Sequence, residues 1–234
     1  MINIDEKLNT IEKKINIKFN DKKLLKQVFV HRSYLNEHKE FDLENNERLE
    51  FLGDAVLELV VTENLYKKYL ESEGVLTSWR SALVKGENLS KIAKEIGIQD
   101  CLLLSKGESN STGKSRDLIL ANAFEALVGA MYIDQGYAVV DNFIKNFLLV
   151  RLKEIIDNKL FIDSKSYLQE IVQDKYKITP VYNLISEKGP DHNKNFQVGV
   201  YIGDKLIAQG MGNSKQKAEQ DAAGNALQKI NSKI

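Results

Sequence analysis

Residues 46–57 read Asn46-Glu47-Arg48-Leu49-Glu50-Phe51-Leu52-Gly53-Asp54-Ala55-Val56-Leu57. At about 100° per residue, a helix places Glu47, Glu50 and Asp54 within a wedge roughly 60° wide. Leu52, Ala55, Val56 and Leu59 fall on the other side, which the spacing assigns to the core. Carboxylates stacked on one helical face repel one another. A positive partner is therefore expected among them, and a divalent metal ion supplies one. Phe51 stands beside the acidic face and away from that core stripe. It either marks an interface or packs beneath the polar, glycine-containing stretch 105–115, which reads as a mobile loop.

A second stretch complements the first. Across residues 118–133 the only charged side chain is Glu125. A lone carboxylate in an apolar helix is costly unless paired or coordinated. Asn122 lies one turn earlier on the same side and offers a carbonyl oxygen. Glu47, Glu50, Asp54, Asn122 and Glu125 form a set of hard oxygen donors without histidine or cysteine, which favours Mg²⁺ or Mn²⁺ over zinc. Two plainer readings stay open. The acidic face could be an ordinary solvated surface, and Glu125 could pair with Arg48, Arg80 or Arg116. His31 reads as a packing and hydrogen-bonding residue, and Trp79 as core.

Working outward, apolar residues recur at helical spacing in 24–34, 44–70, 76–96, 116–132 and 139–156, with glycines between them. The pattern changes near residues 158–161, a short linker. Beyond it come a helix over 167–176, alternating segments at 180–187, 196–202 and 205–212, and an Ala-rich helix over 214–230. The turn Ile202-Gly203-Asp204-Lys205 suits a hairpin. The expected architecture is an all-α domain followed by a small α-β-β-β-α domain whose helices cover one face of an antiparallel sheet.

The 234-residue chain balances 33 Lys and Arg against 33 Asp and Glu, so net charge points to no partner. Cys101 is the only cysteine, which excludes a disulfide framework and a cysteine-based zinc site. The charged start, Met1-Ile2-Asn3-Ile4-Asp5-Glu6-Lys7, lacks a signal-peptide apolar core. The longest apolar run, residues 126–133, is too short to span a bilayer. A cytoplasmic location is expected.

Residues 46–57 resemble the signature of the ribonuclease III family of double-stranded-RNA endonucleases. Val30-His31-Arg32-Ser33-Tyr34, Glu73-Gly74-Val75-Leu76-Thr77 and Ile119-Leu120-Ala121-Asn122-Ala123-Phe124-Glu125-Ala126-Leu127-Val128-Gly129 are similar to further family segments, in the family's order. Tyr167-Leu168-Gln169-Glu170, Gly189-Pro190-Asp191-His192, Phe196 and Ser214-Lys215-Gln216-Lys217-Ala218-Glu219 resemble a double-stranded-RNA-binding domain. The resemblance implies a catalytic domain over 1–158 and an RNA-binding domain over 162–232.

It further implies Asp54 and Glu125 as catalytic residues and Glu50, Asp54, Asn122 and Glu125 as the Mg²⁺ (or Mn²⁺) set. Glu47 and Glu73 would be supporting acids, and Phe51 a plug into the partner of a homodimer. The implied reaction is hydrolysis of duplex RNA to 5′-phosphate and 3′-hydroxyl ends with short 3′ overhangs, acting on ribosomal precursors and other structured transcripts. Gln169 and His192 would face the minor grooves, and Lys215 and Lys217 the phosphates. Two residues depart from the family pattern. Asn122 replaces the usual aspartate, which implies weaker metal binding, and Gln216 replaces a common basic residue. Asn122 also keeps alive a rival reading, a non-catalytic duplex-RNA-binding protein with a vestigial nuclease domain. A di-iron carboxylate site is disfavoured, because no Glu-x-x-His pair is present.

Overall fold

The computed structural model describes residues 4–158, 161, 163–190 and 194–231. The chain divides into two compact units, Met1–Phe161 and Ile162–Ile234. The first is helical: α1 (Ile4–Ile15), α2 (Lys22–Gln27), α3 (Arg32–Glu37), α4 (Glu47–Lys68), α5 (Glu73–Leu83), α6 (Gly86–Ile96), α7 (Lys106–Ser109), α8 (Gly113–Gln135), α9 (Tyr137–Phe147) and α10 (Leu152–Asp157).

The long helices α4 and α8 pack along each other at the centre. Between Ile119 and Met131 every residue of α8 is buried except Asn122 and Glu125. That burial explains why the stretch is so apolar. It also leaves the two polar positions as the ones in that stretch that keep partial exposure.

The buried side of α4 is Leu49, Gly53, Val56, Leu57, Val60 and Val61. This corrects the stripe read from the helical wheel. Ala55 is exposed and Leu59 is 58% exposed. The wheel centred the core on the bulkiest side chains, whereas α8 docks on the side that carries Gly53. The acidic residues therefore border the helix seam, and the Phe51–Ala55–Leu59 side is left uncovered.

Several expected helices are split. The segment 24–34 breaks after Gln27 because Val30 bridges Leu103, its carbonyl accepting the Asn46 N–H at 2.9 Å. His31 then caps α3, its ring nitrogen accepting the Ser33 N–H. The segment 76–96 breaks at Lys85, where the Leu83 carbonyl accepts from the Asn88 side chain at 2.8 Å. The segment 139–156 breaks at Leu148 into α9, a 3₁₀ turn and α10. The stretch 105–115 is no plain loop: Ser105 caps α7, and α8 begins at Gly113. Helix α1, outside the expected set, buries Leu8, Ile11 and Ile15 at helical spacing. Its buried Glu12 accepts the Phe19 N–H at 2.7 Å and pairs with Lys22.

The second unit runs α11 (Ser164–Tyr176), β1 (Val181–Lys188), β2 (Asn195–Ile202), β3 (Lys205–Gly212) and α12 (Lys215–Asn231). The antiparallel sheet has the order β1-β2-β3. Gly203, with φ of +59°, makes the tight turn from β2 to β3. Leu168 and Val172 of α11 and Ala222, Ala223, Ala226 and Leu227 of α12 close on Val200 and Ala208. The fold class, a helical domain plus an α-β-β-β-α domain, is as the sequence implied.

Candidate active site

Two glycines set the site. A Cβ on Gly53 would lie 1.8 Å from the Glu125 carbonyl oxygen, and one on Gly129 would lie 2.2 Å from the Leu49 carbonyl oxygen. Helices α4 and α8 thus touch backbone to backbone, closer than any side chain permits. Glu50 and Asp54 flank Gly53 on one helix. Glu125 precedes Gly129 by about one turn on the other, and Asn122 precedes Glu125 by three residues.

The carboxylates act on one another electrostatically. Burial pushes the Glu125 carboxyl up to about 7, and the Asp54 and Glu50 charges add to it. Burial also raises Glu50, helped by Glu47 and Asp54 and opposed by a hydrogen bond with the Asn122 side chain. Among the described residues no cation pairs with Glu50, Asp54 or Glu125. Arg48 pairs with Glu44, and Arg80 donates to the Thr62 hydroxyl. One guanidinium nitrogen of Arg116 is buried without a hydrogen-bond partner. None of these arginines neutralises Glu125.

The donors are hard oxygens, Glu50 and Glu125 half-buried and Asp54 exposed, with no paired cation among the described residues, which suits a divalent cation. Their side chains stand apart. Among the described residues no three of histidine, cysteine, aspartate and glutamate are already drawn together to hold a metal.

The other expected residues fall in different places. Glu47 opens α4, exposed, with Arg32 at 3.7 Å and the Asn45 amide at 3.3 Å. Glu73 opens α5 and lines a separate hollow with Thr62, Tyr66 and Arg80. Thr62 lies about 12 Å beyond Asp54 along α4, so within one chain Glu73 is not brought to the carboxylates. Phe51 is 82% exposed and does not pack under the 105–115 segment. It borders a hollow lined by Leu24, Leu49, Leu52 and Ile133.

In the second unit Gln169 is exposed on α11, and Lys215 and Lys217 are exposed in the first turn of α12. An ion pair of 2.6 Å between Lys165 and Glu219 ties α11 to α12. His192 lies outside the described residues. The sequence reading missed the roles of Gly53 and Gly129. Their signal was present, since glycine inside a long helix costs about 1 kcal/mol against alanine and asks for a reason.

The chain matches two family descriptions, Ribonuclease-III-like over residues 21–152 and double-stranded RNA binding motif over residues 164–230. It is 44% identical over 232 residues to a Ribonuclease 3 of Enterococcus faecalis, covering 97% of this chain and 99% of that protein. It is 45% identical over 214 residues to one of Borreliella afzelii, covering 91% and 87% respectively. The solved nuclease domain of Ribonuclease III from Campylobacter jejuni matches with a TM-score of 0.55 and 37% identity, covering 60% of this chain and 94% of that one. That structure is described as flexible in a region involved in dimer formation. No helix described here is long and apolar enough to cross a membrane.

Proposed function

This chain belongs to the ribonuclease III family of endoribonucleases and carries a double-stranded-RNA-binding domain, and from that premise we propose a division of labour. Residues 1–158 form the nuclease domain, and residues 162–232 form the RNA-binding domain. The first cuts duplex RNA in a divalent-metal-dependent hydrolysis that leaves 5′-phosphate and 3′-hydroxyl ends with short 3′ overhangs. Ribosomal precursors and other structured transcripts are its expected substrates.

One observation carries the catalytic reading: where α4 and α8 touch at Gly53 and Gly129, burial and the Asp54 and Glu50 charges raise the Glu125 carboxyl, and among the described residues no protein cation pairs with any of the three. Glu50, Asp54, Asn122 and Glu125 would hold Mg²⁺, or Mn²⁺ in its place. A divalent cation there would supply Lewis-acid stabilisation of the phosphoryl and leaving 3′ oxygens and would lower the pKa of water at the site. Asp54 and Glu125 would offset the charge of a bound cation and orient the attacking water. Glu47, held by Arg32, shapes the field at the end of the site. Glu73 is a supporting acid whose approach to the carboxylates needs more than the isolated chain.

Phe51 is the proposed anchor of a homodimer. Its exposure beside a hollow that Leu24, Leu49, Leu52 and Ile133 line together with Glu44, Glu47 and Arg48 supports this, as does the dimer-forming region described for the Campylobacter jejuni domain. In the RNA-binding domain, Gln169 and His192 would read the minor grooves, and Lys215 and Lys217 would bind phosphate at the start of α12.

Cleavage of a long perfect RNA duplex with Mg²⁺ or with EDTA, comparing wild type with Glu125→Gln, tests the reading. Metal-dependent cutting that is lost in the variant while binding persists is the expected result. Tight binding without cutting by the wild type in Mg²⁺ or Mn²⁺ would instead favour a non-catalytic RNA-binding protein.

A further inference from the structure

Strand β3 ends the sheet, so its backbone has a strand neighbour on one side only. Such an edge is a template for pairing with another chain. Here α12 lies unusually near it. A Cβ on Gly210 would sit 2.0 Å from the Ala222 nitrogen, and one on Gly212 would sit 2.5 Å from the Ala218 nitrogen.

From that position three side chains of α12, spaced four residues apart, reach alternate residues of β3. Asp221 accepts the Met211 N–H at 2.8 Å. The Asn225 amide donates to the Gln209 carbonyl at 2.9 Å. The Lys229 ammonium donates to the Ile207 carbonyl at 3.1 Å. The repeats match: four helical residues rise about 6 Å, and two strand residues about 6.7 Å. Helix and strand run in opposite directions, so the three rungs stay in register.

Both edge strands are bulged, and on β3 Ile207 is the extra residue, lying between Ala208 and Leu206, which pair with Val200 and Tyr201. A bulge interrupts β1 between Leu184 and Ser186. Strand β3 also carries the exposed apolar residues Leu206 and Met211, which would strengthen any added pairing.

We propose that Asp221, Asn225 and Lys229 mask a strand-pairing edge, and that the partner this edge fits when bare is β3 of a second copy of the chain. Two identical edges laid antiparallel are self-complementary about a two-fold axis. Leu206 and Met211 of each copy would then flank the new pairing. The mask keeps the RNA-binding domain from self-associating, so that assembly is governed elsewhere in the chain.

The test is sedimentation of the full-length protein over a range of concentrations, wild type against the triple variant Asp221→Ala, Asn225→Ala, Lys229→Ala. The variant is expected to gain a concentration-dependent larger species that the wild type lacks. Self-association through the outer sheet face would occur equally in both, so only a difference reports the edge. A folded variant with wild-type mass at every concentration overturns the proposal. Should the triple variant fail to fold, amide hydrogen exchange in Asp221→Ala decides. Exchange at Met211 accelerating about tenfold or more, with Val200 unchanged, supports the mask. An unchanged Met211 amide overturns it.

Discussion

Gly53 and Glu125 meet backbone to backbone: a side chain on the glycine would begin 1.8 Å from the Glu125 carbonyl oxygen. The obstacle is main chain, which cannot rotate away as a side chain can. Gly53→Ala must therefore push α4 from α8 and carry Glu50 and Asp54 away from Glu125. The expected cost is about 2–4 kcal/mol of stability, read as a lower urea midpoint. Cleavage should fall further than the loss of folded protein explains. A midpoint equal to wild type would show that the crossing is looser than described.

Glu125 gives the metal-free protein a pH dependence. Its carboxyl titrates near 7 in the fold, against an ordinary value of 4.5. A raised carboxylate stabilises the fold while protonated, and that contribution is lost as pH rises through the folded value. In EDTA the melting temperature should decline between about pH 5 and pH 7.5, and Glu125→Gln should flatten the decline. With Mg²⁺ the trend reverses, since the cation binds the ionised form; its stabilising effect should be larger at pH 8 than at pH 6. Parallel profiles for wild type and variant in EDTA would remove Glu125 as the source.

The residues proposed for this site were singled out from the sequence alone. Glu50, Asp54, Asn122 and Glu125 stand out because charge in an apolar helix and like charges on one face each need a physical reason. The α-β-β-β-α order followed from period-two alternation bounded by Gly203. The true core side of α4 was not legible, because a wheel weighs side chains and the docking surface here is the glycine that has none. The break at Val30 was hidden for a related reason: it depends on a bridge to Leu103, far away in sequence. The α12 rungs on β3 were equally out of reach, because Asp221, Asn225 and Lys229 look like an ordinary solvated flank until the strand beside them is known.

Asn122 supplies an amide where the family pattern has a carboxylate, and it hydrogen-bonds with Glu50. Asn122→Asp adds a charge next to Glu50 and Glu125. The metal-free variant should melt below wild type, because like charges in a half-buried cluster repel. Its Mg²⁺ requirement for half-maximal cleavage should drop, because the same charge attracts the cation. An unchanged or higher requirement would mean that the amide oxygen serves as well as a carboxylate.

Phe51, Leu59 and Tyr66 are all exposed on the outer side of α4, at 82%, 58% and 76%. A monomer gains nothing from that arrangement, while the proposed dimer would bury it. Phe51→Asp should shift sedimentation toward the monomer and reduce coordinated cutting of the two strands, leaving single nicks. A variant that remains dimeric would place the interface elsewhere.

Lys215 and Lys217 stand in the first turn of α12, exposed, with the Lys217 N–H donating to the Ser214 hydroxyl at 3.2 Å. The helix start already favours anions, and the two ammonium groups add charge at the same end. Each phosphate contact releases a counterion, so losing one should flatten the plot of log affinity against log salt by about one unit. The double substitution to alanine should weaken duplex binding at low salt and flatten that plot by about two units. The effect should not depend on RNA sequence, because phosphates carry none. Cleavage at saturating RNA should change little, since the carboxylates lie in the other domain. An unaltered salt slope would identify these lysines as solvated surface and move the phosphate contacts to another part of the domain.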